Sequence, residues 1–156
     1  MTFSIDLKGE ESATRKLTSL AHLHALKPHI KALAIHLKGR IAQVPPMTDA
    51  NLPGDYPKKW YIRTRGPAWA LKGGGWHSRK TSKTLTKSWT IKMRDGGLTG
   101  VVGTNVKYAP FVQDLPRQAW YHTRTGWKTV QHVQDTEYNF VRRYLLAAID
   151  RIVGGA

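Results

Sequence analysis

Cysteine is absent from this chain of 156 residues, so neither disulfides nor thiolate zinc sites can hold its fold together. Acidic residues are scarce: ten Asp and Glu stand against twenty-five Lys and Arg, and no carboxylate lies between Pro57 and Arg94. A metal-dependent nuclease needs gathered carboxylates, and none are clustered along this sequence. No apolar run approaches the eighteen or so residues of a membrane span. The opening Met1-Thr2-Phe3-Ser4-Ile5-Asp6 lacks the basic-then-apolar layout of a signal peptide, and a cytosolic assembly site is expected. Catalytic signatures are missing too: there is no His-Glu-x-x-His, no Gly-x-Ser-x-Gly, and no kinase or Walker spacing. Gly73-Gly74-Gly75-Trp76-His77-Ser78 is glycine-rich without the strand and long helix that a phosphate loop requires. The expectation is a protein without enzymatic activity, cofactor or metal. Its weakest competitor is a small metal-free ribonuclease using His77 and His122 for acid–base chemistry.

What is abundant is positive charge. The net charge is +15 and the pI about 10.3, which favours polyanions or acidic protein surfaces through long-range attraction that salt weakens. Six tryptophans and an apolar fraction of 40% fit a globular chain with a core, and the length fits a single domain over residues 1–156.

The clearest stretch runs from Thr81 to Gln113. Thr81 and Ser82 offer caps to a short helix, with Leu85 and Trp89 on one side at i, i+4. Trp89, Ile91 and Met93 alternate with Thr90, Lys92 and Arg94, the period of a strand with one buried face. Asp95-Gly96-Gly97 is turn chemistry, and Leu98 to Gly103 returns as the partner strand. Leu85, Trp89, Ile91 and Val102 are the core candidates of this hairpin.

Upstream, residues 1–9 read as an extended lead-in. Glu10, Glu11 and Ser12 open a helical region over about 10–43. Leu17, Leu20, Ala21 and His24 line one face before Pro28; Ile30, Leu33, Ala34, Leu37 and Ile41 line it afterwards, giving two helices or one kinked helix. His22, His29 and His36 recur every seven residues, which separates neighbours by about 10 Å of helix. That is too far for a shared metal, and they read as boundary histidines beside an apolar stripe. Downstream, Tyr108 to Gln113 predicts a turn continuing into a short helix or strand. Gln118 to Val130 predicts a second hairpin turning near Gly126. A final helix carries Val141, Leu145, Ala148, Ile149 and Ile152 inward and Arg142, Arg143, Asp150 and Arg151 outward, ending at Gly154-Gly155. The fold class expected is α+β: an antiparallel sheet packed against an N-terminal helix and a C-terminal helix.

Between these elements, residues 45–80 read as a long loop or hairpin arm, punctuated by proline and glycine, with strand-like islands at 60–65 and 68–71. From Pro57 onward, Lys58, Lys59, Arg63, Arg65, Lys72, Arg79, Lys80, Lys83 and Lys87 interleave with Trp60, Trp69 and Trp76. Cations neutralise phosphates and aromatic faces stack on bases, so these cations are candidates to face DNA. An arm inserted into a neighbouring subunit would carry the same mixture. The two readings can coexist.

Two segments carry a family resemblance. Ser82-Lys83-Thr84-Leu85-Thr86-Lys87-Ser88-Trp89 has the spacing of a Thr-Gly-x-Leu-x-x-Ser-aliphatic signature, with Lys83 in place of glycine and Trp89 in place of the aliphatic. Val102-Gly103-Thr104-Asn105-Val106-Lys107-Tyr108-Ala109-Pro110-Phe111-Val112 matches a Val-Gly, turn, Tyr-Ala-x-x-Val signature. With the order of elements, these resemble the gp-ten-like tail-component family of long-tailed bacteriophages. Gln113-Asp114-Leu115 departs from the Glu-aromatic-Gly that often follows in that family. Gln118 to Trp127 is similar to a variant ending. The resemblance covers about a third of the chain. It implies a structural virion protein assembled in the host cytoplasm: a neck, tail-completion or tail-terminator ring. Such a ring is a homo-oligomer, a hexamer by analogy with tail symmetry. It would meet adjacent neck, head-completion and tail-tube proteins, and its lumen would pass genomic DNA. In that setting Trp60, Trp69, Trp76, Tyr108, Phe111, Trp120 and Trp127 are candidates for subunit contacts. A free nucleic-acid-binding protein is the competing class.

Overall fold

The computed structural model describes residues 2–4, 20–46, 61–62, 66–70, 76–78 and 84–154, with side chains over 23–46 and 84–154. The fold is α+β, an antiparallel sheet with a long helix from each end of the sequence. Strand β1 is Thr2–Ser4, helix α1 Leu20–Ile41, and strands β2, β3 and β4 are Tyr61–Ile62, Gly66–Ala70 and Trp76–Ser78. Helix α2 follows at Thr84–Ser88, then β5 at Thr90–Arg94 and β6 at Thr99–Gly103. Helices α3 (Ala109–Gln113), α4 (Trp120–Arg124) and α5 (Val130–Gly154) complete the described elements. The main sheet has strand order β1-β6-β5, antiparallel throughout. Ile91 sits opposite Val102, and Arg94 opposite Thr99, so the hairpin expected over Trp89 to Gly103 forms. The turn is one turn of 3-10 helix over Asp95–Gly97, in which Gly96 and Gly97 take φ of 62° and 100°. Asp95 itself has φ 50°, a conformation Asp tolerates better than most residues.

Helix α1 runs unbroken through Pro28, so the region is one helix across that position and not two. Pro28 is exposed, and the packing of the turns on either side outweighs its missing amide. Continuity also moves the N-terminal half of the expected stripe. The phase set by Ile30, Leu33, Ala34, Leu37 and Ile41 extends back to Leu26, which is buried, while His24 is exposed. Glu10, Glu11, Ser12 and Leu17 lie outside the described residues, as do the proposed caps Thr81 and Ser82.

The core lies between α1, α5 and the inner face of the sheet. Leu26, Leu33, Ala34, Leu37 and Ile41 from α1 meet Val133, Val141, Leu145, Ala148 and Ile149 from α5, with Trp89 and Val102 from the sheet side. Gly100 marks the closest approach of sheet and helix: a Cβ there would stand 3.0 Å from that of Ala34. The wet face of α5 is as the sequence predicts, with Arg142, Arg143, Asp150 and Arg151 exposed.

The second hairpin expected over 118–130 does not form. Trp120–Arg124 is a helical turn, and α5 starts at Val130. Thr129 explains the start: its Oγ1 accepts a hydrogen bond from the His132 amide at 3.1 Å, an N-cap. Gly126, with φ 84°, reverses the chain after α4 instead of turning a hairpin. Trp120, His122 and Trp127 thus belong to a passage of helix, turn and helix. In the 45–80 region, β2, β3 and β4 pair antiparallel in order, Tyr61 opposite Pro67 and Trp69 opposite His77. The islands at 60–65 and 68–71 overlap β2 and β3; β4 follows the triple glycine, where no strand was expected.

Candidate assembly surface

The two signature segments pack against each other. Leu85 of α2 is buried with Ala109 and Val112 of α3, closed off by Val106 and Trp127. Ser88 Oγ donates to the Leu85 carbonyl at 2.8 Å and lies 2.7 Å from Thr104 Oγ1, which in turn accepts from the Val106 amide at 3.3 Å. One residue on, the buried Trp89 indole N–H donates to Gln113 Oε1 at 3.2 Å. Gln113 Nε2 donates to the Ile41 carbonyl at 2.7 Å, meeting one of the carbonyls that the end of α1 leaves without an intrahelical partner. Leu85, Ser88 and Trp89 from the first signature are thereby fixed to Thr104, Ala109, Val112 and the following Gln113. The amide of Gln113 accepts from Trp89 and donates to Ile41 at once, which an ionised carboxylate at this position could not do.

The passage from α3 to α4 is tied from inside by Gln118. Its Nε2 donates to the carbonyls of Val112 at 2.7 Å and Trp127 at 2.9 Å, and its Oε1 accepts from Thr123 Oγ1 at 2.8 Å. The Ala119 amide donates to the Phe111 carbonyl at 2.9 Å. With Ala109, Val112 and Gln113 turned inward, Tyr108, Phe111, Leu115 and Trp120 face out, at 47%, 57%, 60% and 63% exposure. Trp127 points inward onto the Leu85 cluster, edge-on to His122 at 6.3 Å between ring centres. His122 is buried between Tyr121 and Trp127, and burial lowers its pKa from 6.5 to about 4.

A second polar cluster joins the long helices. The buried Glu137 carboxylate accepts from His36 Nε2 at 2.7 Å and from Arg40 Nε at 2.5 Å. Burial alone would push its pKa up. Hydrogen bonds from His36 and Arg40, with their charges, outweigh burial and hold the carboxyl below its ordinary value. His29 hydrogen-bonds Tyr144 at 3.2 Å, so His29 and His36 each lie at the α1–α5 boundary. The buried Glu137 within an apolar stripe was invisible to periodicity; the i, i+4 pair of His36 and Arg40 was its only trace. A cavity of about 340 Å³ opens where α1 ends, lined by Gln43, Val44, Pro45, Pro46, Gly126 and Lys128.

Of the cations expected to face DNA, Lys87 is exposed at the end of α2. Lys58, Lys59, Arg63, Arg65, Lys72, Arg79, Lys80 and Lys83 lie outside the described residues, as does Trp60. Trp69 and Trp76 fall in β3 and β4, Trp76 opposite Ala70. Among the described residues, no helix is long and apolar enough to cross a membrane. Comparison of the chain with family models, curated proteins and solved structures finds no match.

Proposed function

We propose that this chain is a structural subunit of the neck of a long-tailed bacteriophage, forming a homo-oligomeric ring between head and tail tube around a channel for DNA. The observation that carries the reading is the mutual packing of the two signature segments. Leu85, Ser88 and Trp89 meet Thr104, Ala109, Val112 and Gln113 in one knot, while Tyr108 and Phe111 of the same segments stay outside. The segments that resemble the tail-component family therefore act as one unit, with an apolar outer face suited to contact with another neck component. A ring built from heterologous contacts between copies would be sixfold by analogy with tail symmetry. The basic stretch from 57 to 94 would line the lumen or reach an adjacent ring. Sliding DNA needs cations that neutralise phosphates without reading bases. A tail-terminator ring is the same architecture at the other junction. No residue is assigned a catalytic role.

Light scattering and negative-stain imaging, on the protein alone and with its neck partners, test the ring. A compact monomer in every mixture would overturn it. Labelling the subunit on assembled particles then separates neck from tail terminator. The charge favours one second reading, a free nucleic-acid-binding protein: a net +15 with no carboxylate from Pro57 to Arg94. It requires the isolated chain to bind DNA or RNA with an affinity that falls steeply with salt, and a flat fluorescence titration at low salt removes it.

A further inference from the structure

We propose that the outward face of α3 and α4, formed by Tyr108, Phe111, Leu115 and Trp120, is a docking surface for an acidic, apolar segment of a different protein. Tyr108 and Phe111 stand one turn apart at the start of α3, at i and i+3, and Leu115 follows once the chain leaves the helix at the extended Asp114. The Phe111 amide donates to the Tyr108 carbonyl, and the Ala119 amide to the Phe111 carbonyl at 2.9 Å, which ties the start of α4, where Trp120 stands, back to α3. The opposite side of the same helix is committed to the core through Ala109, Val112 and Gln113, so these aromatics cannot rotate inward. Each of the three aromatic side chains presents on the order of 150–250 Å² when fully open. Half-exposed, the set reaches the scale of about 300–600 Å² at which a surface patch on a monomer is commonly functional.

The face is rigid before anything binds. Gln118 clamps the carbonyls of Val112 and Trp127, and Thr123 fixes Gln118. A partner therefore pays little ordering cost on this side. Tyrosine and tryptophan are also the residues that most often dominate binding energy.

Charge selects the occupant. Lys107 precedes Tyr108, Arg117 follows Leu115, and Arg124 lies one turn beyond Trp120; all three are exposed. The single carboxylate among them, Asp114, is held 3.8 Å from Arg117. An isologous contact with a second copy would bring the same cations together, and a heterologous one would still set this face against a chain of net charge +15, whereas carboxylates flanking aliphatic or aromatic side chains would meet both parts of the surface. Leu115 and the exposed Pro116 add aliphatic area that gains little from nucleobases or phosphates. None of this depends on a ring, so a protein that stays monomeric leaves the docking surface to be judged separately.

The test is amide NMR of the full chain titrated with short synthetic peptides of Glu, Leu and Phe, alongside counterparts with Lys for Glu. The expected result is saturable shifts confined to about residues 107–124, weakened by salt, with affinity falling at least about tenfold in the Phe111→Ser, Trp120→Ser variant. Both side chains are exposed, so that variant should fold. The Lys107→Glu, Arg124→Glu variant keeps the apolar face and should shift preference to the lysine peptides. Absence of saturable binding, or shifts spread over the other basic surfaces, would overturn the proposal. So would oligothymidine displacing the peptide from these same amides, or self-association that Phe111→Ser abolishes.

Discussion

Gln113 sits at the point where α1, the hairpin and α3 meet, and replacing it with glutamate is a sharp test of how that junction works. Gln113 is wholly buried, accepts from Trp89 Nε1 at 3.2 Å and donates to the Ile41 carbonyl at 2.7 Å. A carboxylate keeps the first bond and loses the second, placing a charged oxygen against a carbonyl oxygen at the negative end of a long helix. The new group would be driven to hold its proton, since the protonated form can still donate to Ile41. A fully buried carboxyl is raised by up to about 3–5 units, and each unit corresponds to about 1.4 kcal/mol. Because the group can stay protonated once its folded pKa passes the solution pH, Gln113→Glu should cost about 2–4 kcal/mol at neutral pH, a large share of an ordinary domain's stability.

The sign of the pH dependence follows. The folded pKa of the new carboxyl lies above its unfolded value of about 4.3, so the penalty is small below that pH and grows as pH rises toward the folded value. Gln113→Leu is the comparison: it strands the Trp89 N–H and the Ile41 carbonyl, costing about 2–4 kcal/mol with little pH dependence of its own. Urea unfolding followed by tryptophan fluorescence at pH near 4.5 and 7.5, each variant referred to wild type at the same pH, gives both numbers. If Gln113→Glu is no worse at the higher pH than at the lower, water reaches this junction and the buried knot is not what holds α3 to α1.

Gly100→Val should destabilise by about 1–3 kcal/mol through overpacking against Ala34, with Gly100→Ala milder; thermal melts measure both. Glu137→Gln should cost about 1–2 kcal/mol, because His36 and Arg40 are each about a third exposed and partly screened. Because the Glu137 pKa is lowered, wild type carries this stabilisation above the ordinary value of 4.5 and loses it as pH falls through the folded value; the variant's urea midpoint should lack that loss. His122, lowered to about 4, stays neutral in the fold while the unfolded chain protonates near 6.5. Stability should therefore fall as pH drops from about 6.5 toward about 4, and His122→Gln should flatten that limb of the unfolding profile.

Period and turn chemistry made the hairpin legible. Trp89 to Gly103 alternates, and Asp95-Gly96-Gly97 allows only a tight reversal, so strand, turn and register all follow from local rules. The outer face of α5 was equally plain. The misreading at 118–130 has a definite cause: aromatic and β-branched residues on both sides of Gly126 fit a hairpin, while the deciding signals were polar and nonlocal. Gln118 binds two carbonyls far apart in sequence, and Thr129 caps a helix whose first turn, Val130 to Val133, has no charged residue to advertise it. His24 was misplaced because Pro28 suggested a break, and a break would have allowed the first half of α1 its own phase.

The same distinction applies to the candidate surface. Sequence could select Tyr108, Phe111, Trp120 and Trp127 as contact residues but could not sort them, since all four are aromatic and close together. Packing sorts them through the small residues between. Ala109 and Val112 fit against Leu85, which turns Tyr108 and Phe111 out; Gln118 bridges to the Trp127 carbonyl, and Trp127 closes the Leu85 cluster. Trp120, one residue beyond the Ala119–Phe111 backbone bond, is exposed as well. Scaffold and proposed contact surface thus lie on opposite sides of α3, with Trp120 on α4, and a substitution tells them apart by its readout. Changes at Ala109, Val112 or Gln113 should move the unfolding free energy, whereas changes at Phe111 or Trp120 should leave it within about 0.5 kcal/mol and act only on binding.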